Sequence, residues 1–274
     1  MVNMKKKIKT IILRTAGTNC DKETAFAFEK AGSSVESIHI NELIKNKDLL
    51  KKFQILAIPG GFTYGDDVAS GKILANELKS GLKKQILDFV AAGKLIIGIC
   101  NGFQVLVKMG LLPNIKKGKD LSMEATLSLN DNGKFTDRWV HLKKADGKGK
   151  EDLCVWTRGL PEVIYIPIAH AEGKFIPKND KILKSLQKNG QIVFRYVNKN
   201  GDSPVYPENP NGSIDDIAGI CDPTGRILGL MPHPERHISY LQHPNWRRYP
   251  NNLKKMGIGL AIFENGVKFA RNGI

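Results

Sequence analysis

Over its first 110 residues the chain alternates short β-rich runs with stretches of helical periodicity. Ile8 to Leu13, Val35 to Ile40, Ile55 to Ile58 and Leu95 to Ile99 read as strands. Leu78, Leu82, Ile86, Phe89 and Val90 fall on one helical face, with Gly93 as the stop. Asp21 is placed to cap a helix running to Ala31, closed by Gly32. A further helical pattern opens just after Cys100. Apolar strands alternating with helices call for a mostly parallel sheet covered on both faces. In such sheets reactive groups gather beyond the carboxyl ends of the strands.

After residue 120 the pattern shifts. Val163 to Ala169, Ile192 to Val197, Ile217 to Cys221 and Ile227 to Met231 read as strands. Asp222-Pro-Thr-Gly225 joins the last two as a type I turn with Pro in its second position. This half reads as antiparallel additions to the same sheet. Residues 198–215 read as a surface loop and 257–271 as a closing helix. With no linker or repeat, the expectation is one α/β domain over residues 1–274, carrying a basic tail at 1–7.

Composition narrows the classes. At 274 residues with 41% hydrophobic and 25% charged positions, the chain is neither disordered nor collagen-like. No stretch approaches the ~18–20 apolar residues of a membrane span. The apolar part after the lysine-rich start, Thr10 to Leu13, is too short for an export signal, and Arg14 ends it. Cys20, Cys100, Cys154 and Cys221 show no paired or metal-ligand spacing, so no metal is expected. Free thiols in a cytoplasmic protein are the corresponding expectation. Forty-two Lys and Arg against 27 Asp and Glu leave a net charge of +15. The lysine clusters (Lys5–Lys9, Lys116–Lys119, Lys143–Lys150) fall in a tail and in Gly-containing loops, without a nucleic-acid-reading motif. They imply a solvated surface or an acidic protein partner, with neither nucleic acid nor membrane expected.

Three segments carry chemistry. In Gly98-Ile-Cys100-Asn-Gly102-Phe-Gln104 an apolar strand runs straight into a cysteine and then a helix. That is the pattern of a nucleophile elbow, where a tight turn lifts one side chain above the sheet. A helix N-terminus behind the sulfur favours its nucleophilic form. A buried structural thiol is the alternative, and the glycine frame argues against it. A thiol nucleophile needs a proton shuttle. Met231-Pro-His233-Pro-Glu235-Arg supplies one after a strand. Residues before proline are extended, so Glu235 is expected two places along an extended segment, on the same side as His233, orienting its ring. His237 and His243 lack an acid two residues on. Third, Pro59-Gly60-Gly61-Phe-Thr-Tyr-Gly65-Asp-Asp67 ends a strand with glycines that can turn backbone N–H groups toward an oxyanion. Gly61, Phe62 and Asn101 are the expected donors. No phosphate-loop spacing occurs there.

Taken together these segments resemble class I glutamine amidotransferases, whose signature is a Gly-x-Cys-x-Gly-x-Gln elbow with a distant His-x-Glu. Gly60-Gly-Phe-Thr-Tyr-Gly-Asp, Gly17-Thr-Asn-Cys-Asp21 and Pro167-Ile-Ala-His-Ala-Glu-Gly-Lys-Phe175 narrow the resemblance to the glutaminase subunits of phosphoribosylformylglycinamidine synthases. It runs from about residue 8 to 237. Residues 238–256 look like extra length, and Ala171 stands where those subunits often carry Gly. The resemblance implies a flavodoxin-like sheet and a catalytic set of Cys100, His233 and Glu235. It further implies an oxyanion and substrate set of Gly60, Gly61, Phe62, Asn101, Gln104, His170 and Glu172. Cys20 would serve packing or partner contact, and Cys154 and Cys221 structure. The implied reaction is glutamine hydrolysis, with ammonia passed to a synthetase subunit that works alongside a small bridging subunit. ATP and Mg are expected on the synthetase, and no cofactor in this chain. A stand-alone cysteine hydrolase or peptidase on a similar fold is the alternative enzyme, and the late His-x-Glu speaks against it. A basic RNA-binding protein is the non-enzymatic alternative, and the intact Cys100/His233/Glu235 set speaks against that.

Overall fold

The computed structural model describes residues 7–115, 121–145, 153–248 and 256–273. Most of the basic tail, Lys116–Lys119, residues 146–150 and residues 249–255 of the expected C-terminal extra length lie outside the described residues.

The amino-terminal half alternates as its pattern predicts. β1 (Lys9–Arg14), α1 (Asp21–Lys30), β2 (Ser34–His39), α2 (Ile40–Lys45), β3 (Ile55–Ile58), α3 (Lys72–Ala91), β4 (Leu95–Ile99) and α4 (Asn101–Met109) follow one another. β3 and β4 are buried at every position because helices cover both faces of the sheet. α3 buries Leu74, Leu78, Leu82, Ile86 and Phe89, three or four residues apart, along one stripe. Cys20, not Asp21, caps α1; Asp21 begins the helix, and its carboxylate sits 2.8 Å from Arg14 Nε.

The second half adds β5 (Ala125–Ser128), β6 (Thr136–Lys144), β7 (Val163–His170), β8 (Lys174–Pro177), α5 (Asp180–Asn189), β9 (Ile192–Val197), β10 (Ile217–Cys221), β11 (Ile227–Leu230) and α6 (Gly259–Gly273). One nine-stranded sheet runs in the order β2-β1-β3-β4-β11-β10-β9-β6-β7. The pairs from β2 to β11 are parallel, and those from β11 to β7 antiparallel. β5 and β8 form a separate antiparallel pair. The mixed sheet and its antiparallel extension agree with the expected class. β5, β6, β8, α2 and α5 go beyond what the hydropathy pattern indicated. Lys143 and Lys144, expected in a loop, form the end of β6.

The sheet order sets up the site. β4 and β11 are neighbours in parallel, so Cys100 and His233 leave the sheet at the same edge. β7 is last in the order, yet the Pro167 carbonyl accepts from the His233 N–H at 2.8 Å. The far strand therefore lies against the carboxyl end of β11. Beyond His237 the chain packs on the same wall, where the His243 ring lies against Trp139 and Tyr165.

Candidate active site

Cys100 occupies the elbow between β4 and α4 with φ 51° and ψ −107°, a conformation a non-glycine residue adopts only at an energetic cost. Gly102 makes the turn possible: a Cβ there would stand 1.9 Å from the Ile58 carbonyl oxygen. The Cys100 N–H is tied to the Leu230 carbonyl at 2.8 Å, and its thiol donates to the Ala169 carbonyl at 3.6 Å. The side chain is 5% exposed.

His233 follows β11, with its Nδ1 2.6 Å from Glu235 Oε1. The sequence pairs these residues correctly, but the expected extended segment is replaced by a short 3-10 turn over Pro234–Arg236. That turn swings Glu235 beneath the ring. His233 and Glu235 are 1% and 0% exposed. Burial opposes protonation of His233, yet the Glu235 carboxylate and the thiols of Cys100 and Cys20 outweigh it and hold the imidazole's pKa well above its ordinary value. The Glu235 carboxylate thus favours the Nδ1-protonated ring, leaving Nε2 to the thiols.

Gly60 lies at the centre of this cluster. A Cβ on it would be 2.9 Å from His233 Cε1, 3.1 Å from Cys20 Sγ and 3.5 Å from Cys100 Cβ, so any side chain there would displace these three residues. The segment after β1 forms one wall of the site. Cys20 N donates to the Gly60 carbonyl at 3.2 Å, and Phe62 N to the Gly17 carbonyl at 2.9 Å. The Phe62 amide is thereby engaged, which removes it from the expected oxyanion donors. Gly61, with φ 144°, and Asn101, first residue of α4, remain as candidates. The Phe62 ring is 45% exposed and lies near Phe135.

The other expected residues join one polar network. Asn101 Oδ1 accepts from Thr63 Oγ1 at 2.8 Å, and its Nδ2 donates to Gln104 Oε1 at 3.0 Å. Gln104 Nε2 donates to the Glu172 carbonyl at 2.6 Å. The Glu172 carboxylate accepts from the Ser70 N–H at 3.3 Å and lies 3.9 Å from Lys108 Nζ. Lys108 Nζ also donates to the Ser70 carbonyl. His170 is buried, with Nδ1 3.1 Å from Asn130 Oδ1; burial, reinforced by His233, lowers its pKa to about 3. It is a neutral ring at ordinary pH. His237 is held apart by the Tyr165 carbonyl, and burial lowers it to about 4.

Cys20 is the residue whose place the sequence reading misses. It sits against His233, 3.1 Å from Arg236 Nη2, and burial pushes its thiol up. The available signal was its position just past the carboxyl end of β1. Lys108 gave no signal at all, standing as the one charged residue of α4.

Residues 7–270 match the CobB/CobQ-like glutamine amidotransferase domain. The chain belongs to this amidotransferase family. It is 48% identical to the phosphoribosylformylglycinamidine synthase subunit PurQ of Dehalococcoides mccartyi, over 97% of this chain and 98% of that one. The PurQ subunit of Archaeoglobus fulgidus is 43% identical over 97% and 98%. Among solved structures, PurLQS from Thermotoga maritima aligns with TM-score 0.71 and 28% identity, covering 96% of this chain and 99% of that chain. A Thermotoga maritima glutamine amidotransferase shares the fold alone, with TM-score 0.54 and 15% identity. Among the described residues no helix is long and apolar enough to cross a membrane.

Proposed function

We propose that this chain is the glutaminase subunit of a phosphoribosylformylglycinamidine synthase. It would hydrolyse glutamine and pass ammonia to a synthetase subunit that aminates formylglycinamide ribonucleotide, a step of purine biosynthesis. The observation that carries the reading is one cluster: the Cys100 elbow against His233, with His233 2.6 Å from Glu235, in a chain 48% identical to a PurQ subunit.

Cys100 Sγ attacks the side-chain amide carbon of glutamine while His233 Nε2 takes its proton. The developing oxyanion rests on the N–H groups of Gly61 and Asn101, and each such donor contributes about 3–4 kcal/mol in comparable sites. His233 returns the proton to the departing ammonia, leaving a γ-glutamyl thioester. The same imidazole then removes a proton from water, which attacks the thioester and frees glutamate. Glu235 holds the ring tautomer throughout, and this acid–base transfer is worth about 10²–10⁴-fold. Gln104 and Glu172 shape the substrate side of the elbow, and neutral His170 backs His233.

The synthetase and a small bridging subunit are the proposed partners, in keeping with the PurLQS complex of Thermotoga maritima. ATP and Mg²⁺ are assigned to the synthetase, since the Gly60–Asp67 loop lacks phosphate-loop spacing. The match over residues 7–270 supports one amidotransferase domain. Four free thiols support a reducing, cytoplasmic setting.

Ammonia release from glutamine by the purified chain, before and after mixing with a formylglycinamide ribonucleotide synthetase, tests the reading. Cys100→Ala should abolish glutamine-dependent synthesis by the complex and leave ammonia-dependent synthesis intact. Glutamine-dependent synthesis by Cys100→Ala would overturn it, and so would partner-independent peptidase activity in the parent.

A further inference from the structure

The proposed reaction uses one thiol, yet the imidazole has two against it. Cys100 stands on the elbow. Cys20 Sγ lies within 4.8 Å of a His233 ring nitrogen, and both residues are 1% exposed. The Glu235 carboxylate keeps a proton on His233 Nδ1, so Nε2 is the accepting atom. Nε2 is buried and has no hydrogen-bond partner among the described residues. A hydrogen from Cys20 on that nitrogen would engage the lone pair that has to take the Cys100 proton. Burial pushes the Cys20 thiol up, so it stays protonated and its hydrogen must be directed somewhere.

Two neighbours direct it away. Asn19 Oδ1 lies 3.1 Å from Cys20 Sγ and can only accept, so the thiol hydrogen goes to it. Arg236 Nη2 lies 3.1 Å from the same sulfur and can only donate, so it takes a sulfur lone pair. One acceptor and one donor together fix the rotation of the S–H bond. Arg236 is itself aimed, with its Nε 3.7 Å from Glu23 Oε1 in α1. It follows Glu235 in the short turn over Pro234–Arg236. That turn sends the carboxylate to His233 and the guanidinium to Cys20.

We infer that Arg236 is a positioning residue which, with Asn19, holds the Cys20 hydrogen off His233 Nε2 and reserves that nitrogen for Cys100. No bond forms or breaks in this role; it decides which sulfur the base serves. The inference rests on the proposed glutaminase reaction, in which His233 Nε2 takes the Cys100 proton.

The test is a double-mutant cycle on glutamine hydrolysis by the complex. Arg236→Met removes the donors and keeps much of the side chain's length. The released thiol then competes for Nε2 with the strength of one hydrogen bond, so kcat should fall roughly 3–10-fold. KM for glutamine should change far less. In a chain that already carries Cys20→Ala, adding Arg236→Met should leave kcat where Cys20→Ala put it, because no second hydrogen remains to be held off. Lost packing, or lost charge beside Glu235, would act whether or not Cys20 is present. An undiminished loss in the Cys20→Ala background would therefore overturn the inference, and so would an Arg236→Met kcat equal to the parent's. If Arg236→Met fails to fold, Asn19→Leu takes its place in the cycle, with the same loss and the same suppression expected. A parent complex that releases no ammonia from glutamine would overturn the glutaminase reading as well. An active parent with an uncoupled cycle overturns only the role given to Arg236 and Asn19.

Discussion

Glu235 Oε1 stands 2.6 Å from His233 Nδ1 with both side chains shut away from solvent. A carboxylate in that position costs desolvation unless it is paired, and the imidazole is its partner. Glu235→Gln keeps the shape and removes the charge, so the ring loses its preference for the tautomer that presents Nε2 to the thiol. In a comparable triad the equivalent change lowers turnover ~10⁴-fold. For Glu235→Gln we expect a kcat loss on the order of 10²–10⁴-fold in the complex, with KM for glutamine changed far less. Unchanged turnover would remove Glu235 from the reaction.

Two thiols against one imidazole call for a test of which is the nucleophile. Cys100 is on the elbow, whereas Cys20 is raised by burial and engaged by Arg236 and Asn19. A glutamine-analogue electrophile should therefore label Cys100 and spare Cys20, as read by peptide mass mapping. Label on Cys20 would reverse the assignment.

The elbow also leaves a mark on stability. Cys100 holds φ 51°. Replacing it by Ala keeps the strain, and replacing it by Gly relieves it. At an ordinary site Gly is the less stable of the two; here Cys100→Gly should exceed Cys100→Ala by about 1 kcal/mol in urea unfolding. Equal stabilities would mean that the backbone relaxes in solution.

The elbow and its partners were legible because each is local. An apolar strand followed by Cys, Gly and a helix writes its own geometry, and Glu235 is two residues from His233. The parallel half was legible for the same reason, since strands buried on both faces show as apolar runs. β6 was not: Thr136–Lys144 carries Asp137, Arg138, His141, Lys143 and Lys144, and only Thr136, Val140 and Leu142 are buried. A strand with one wet face and lysines at its end reads as loop. α5 hides in the same way, because its buried residues are Ile182 and Leu186 alone. Lys108 was illegible, and Cys20 legible only as a residue at the carboxyl end of β1, for a different reason. Their meaning lies in contacts with Gly60, Arg236, Ser70 and Glu172, up to 216 residues away in sequence, which only the fold makes. The engaged Phe62 amide belongs with them, since its acceptor is the Gly17 carbonyl.

Acid stability follows from the buried neutral rings. His170 has its pKa lowered to about 3, against an unfolded value near ~6.5. The unfolded chain takes up a proton below ~6.5 that the folded chain refuses until about pH 3, so stability falls as pH drops through that window. One such group contributes at most ~1.4 kcal/mol per pH unit. His233 acts in the opposite sense. Its folded pKa is raised, so its contribution is complete below ~6.5 and is lost as pH rises through the folded value. His170→Gln should therefore flatten the loss of unfolding free energy between pH 6.5 and 5.5 by up to ~1.4 kcal/mol. An unaltered acid limb would place the effect on other groups.

Lys108 ties the segment after β3 to the network of Gln104 and Glu172. Tyr64, Gly65 and Asp66 all hold positive φ, a run that the surroundings must enforce. The chain is then held at Ser70, where Lys108 Nζ takes the carbonyl and the Glu172 carboxylate takes the N–H. Burial lowers the Lys108 pKa, with Glu172 and Asp66 opposing that shift. Lys108→Met keeps the aliphatic stem but leaves the Ser70 carbonyl and the Glu172 carboxylate short of a partner. The cost should be about 1–3 kcal/mol. Amide hydrogen exchange should rise over residues 63–71 before it rises in β3 or β4, which buried contacts hold independently. Glutaminase turnover should fall with it, since Asn101 and Gln104 share that network. A uniform rise in exchange across the sheet would show instead that Lys108 supports the fold as a whole and not this loop.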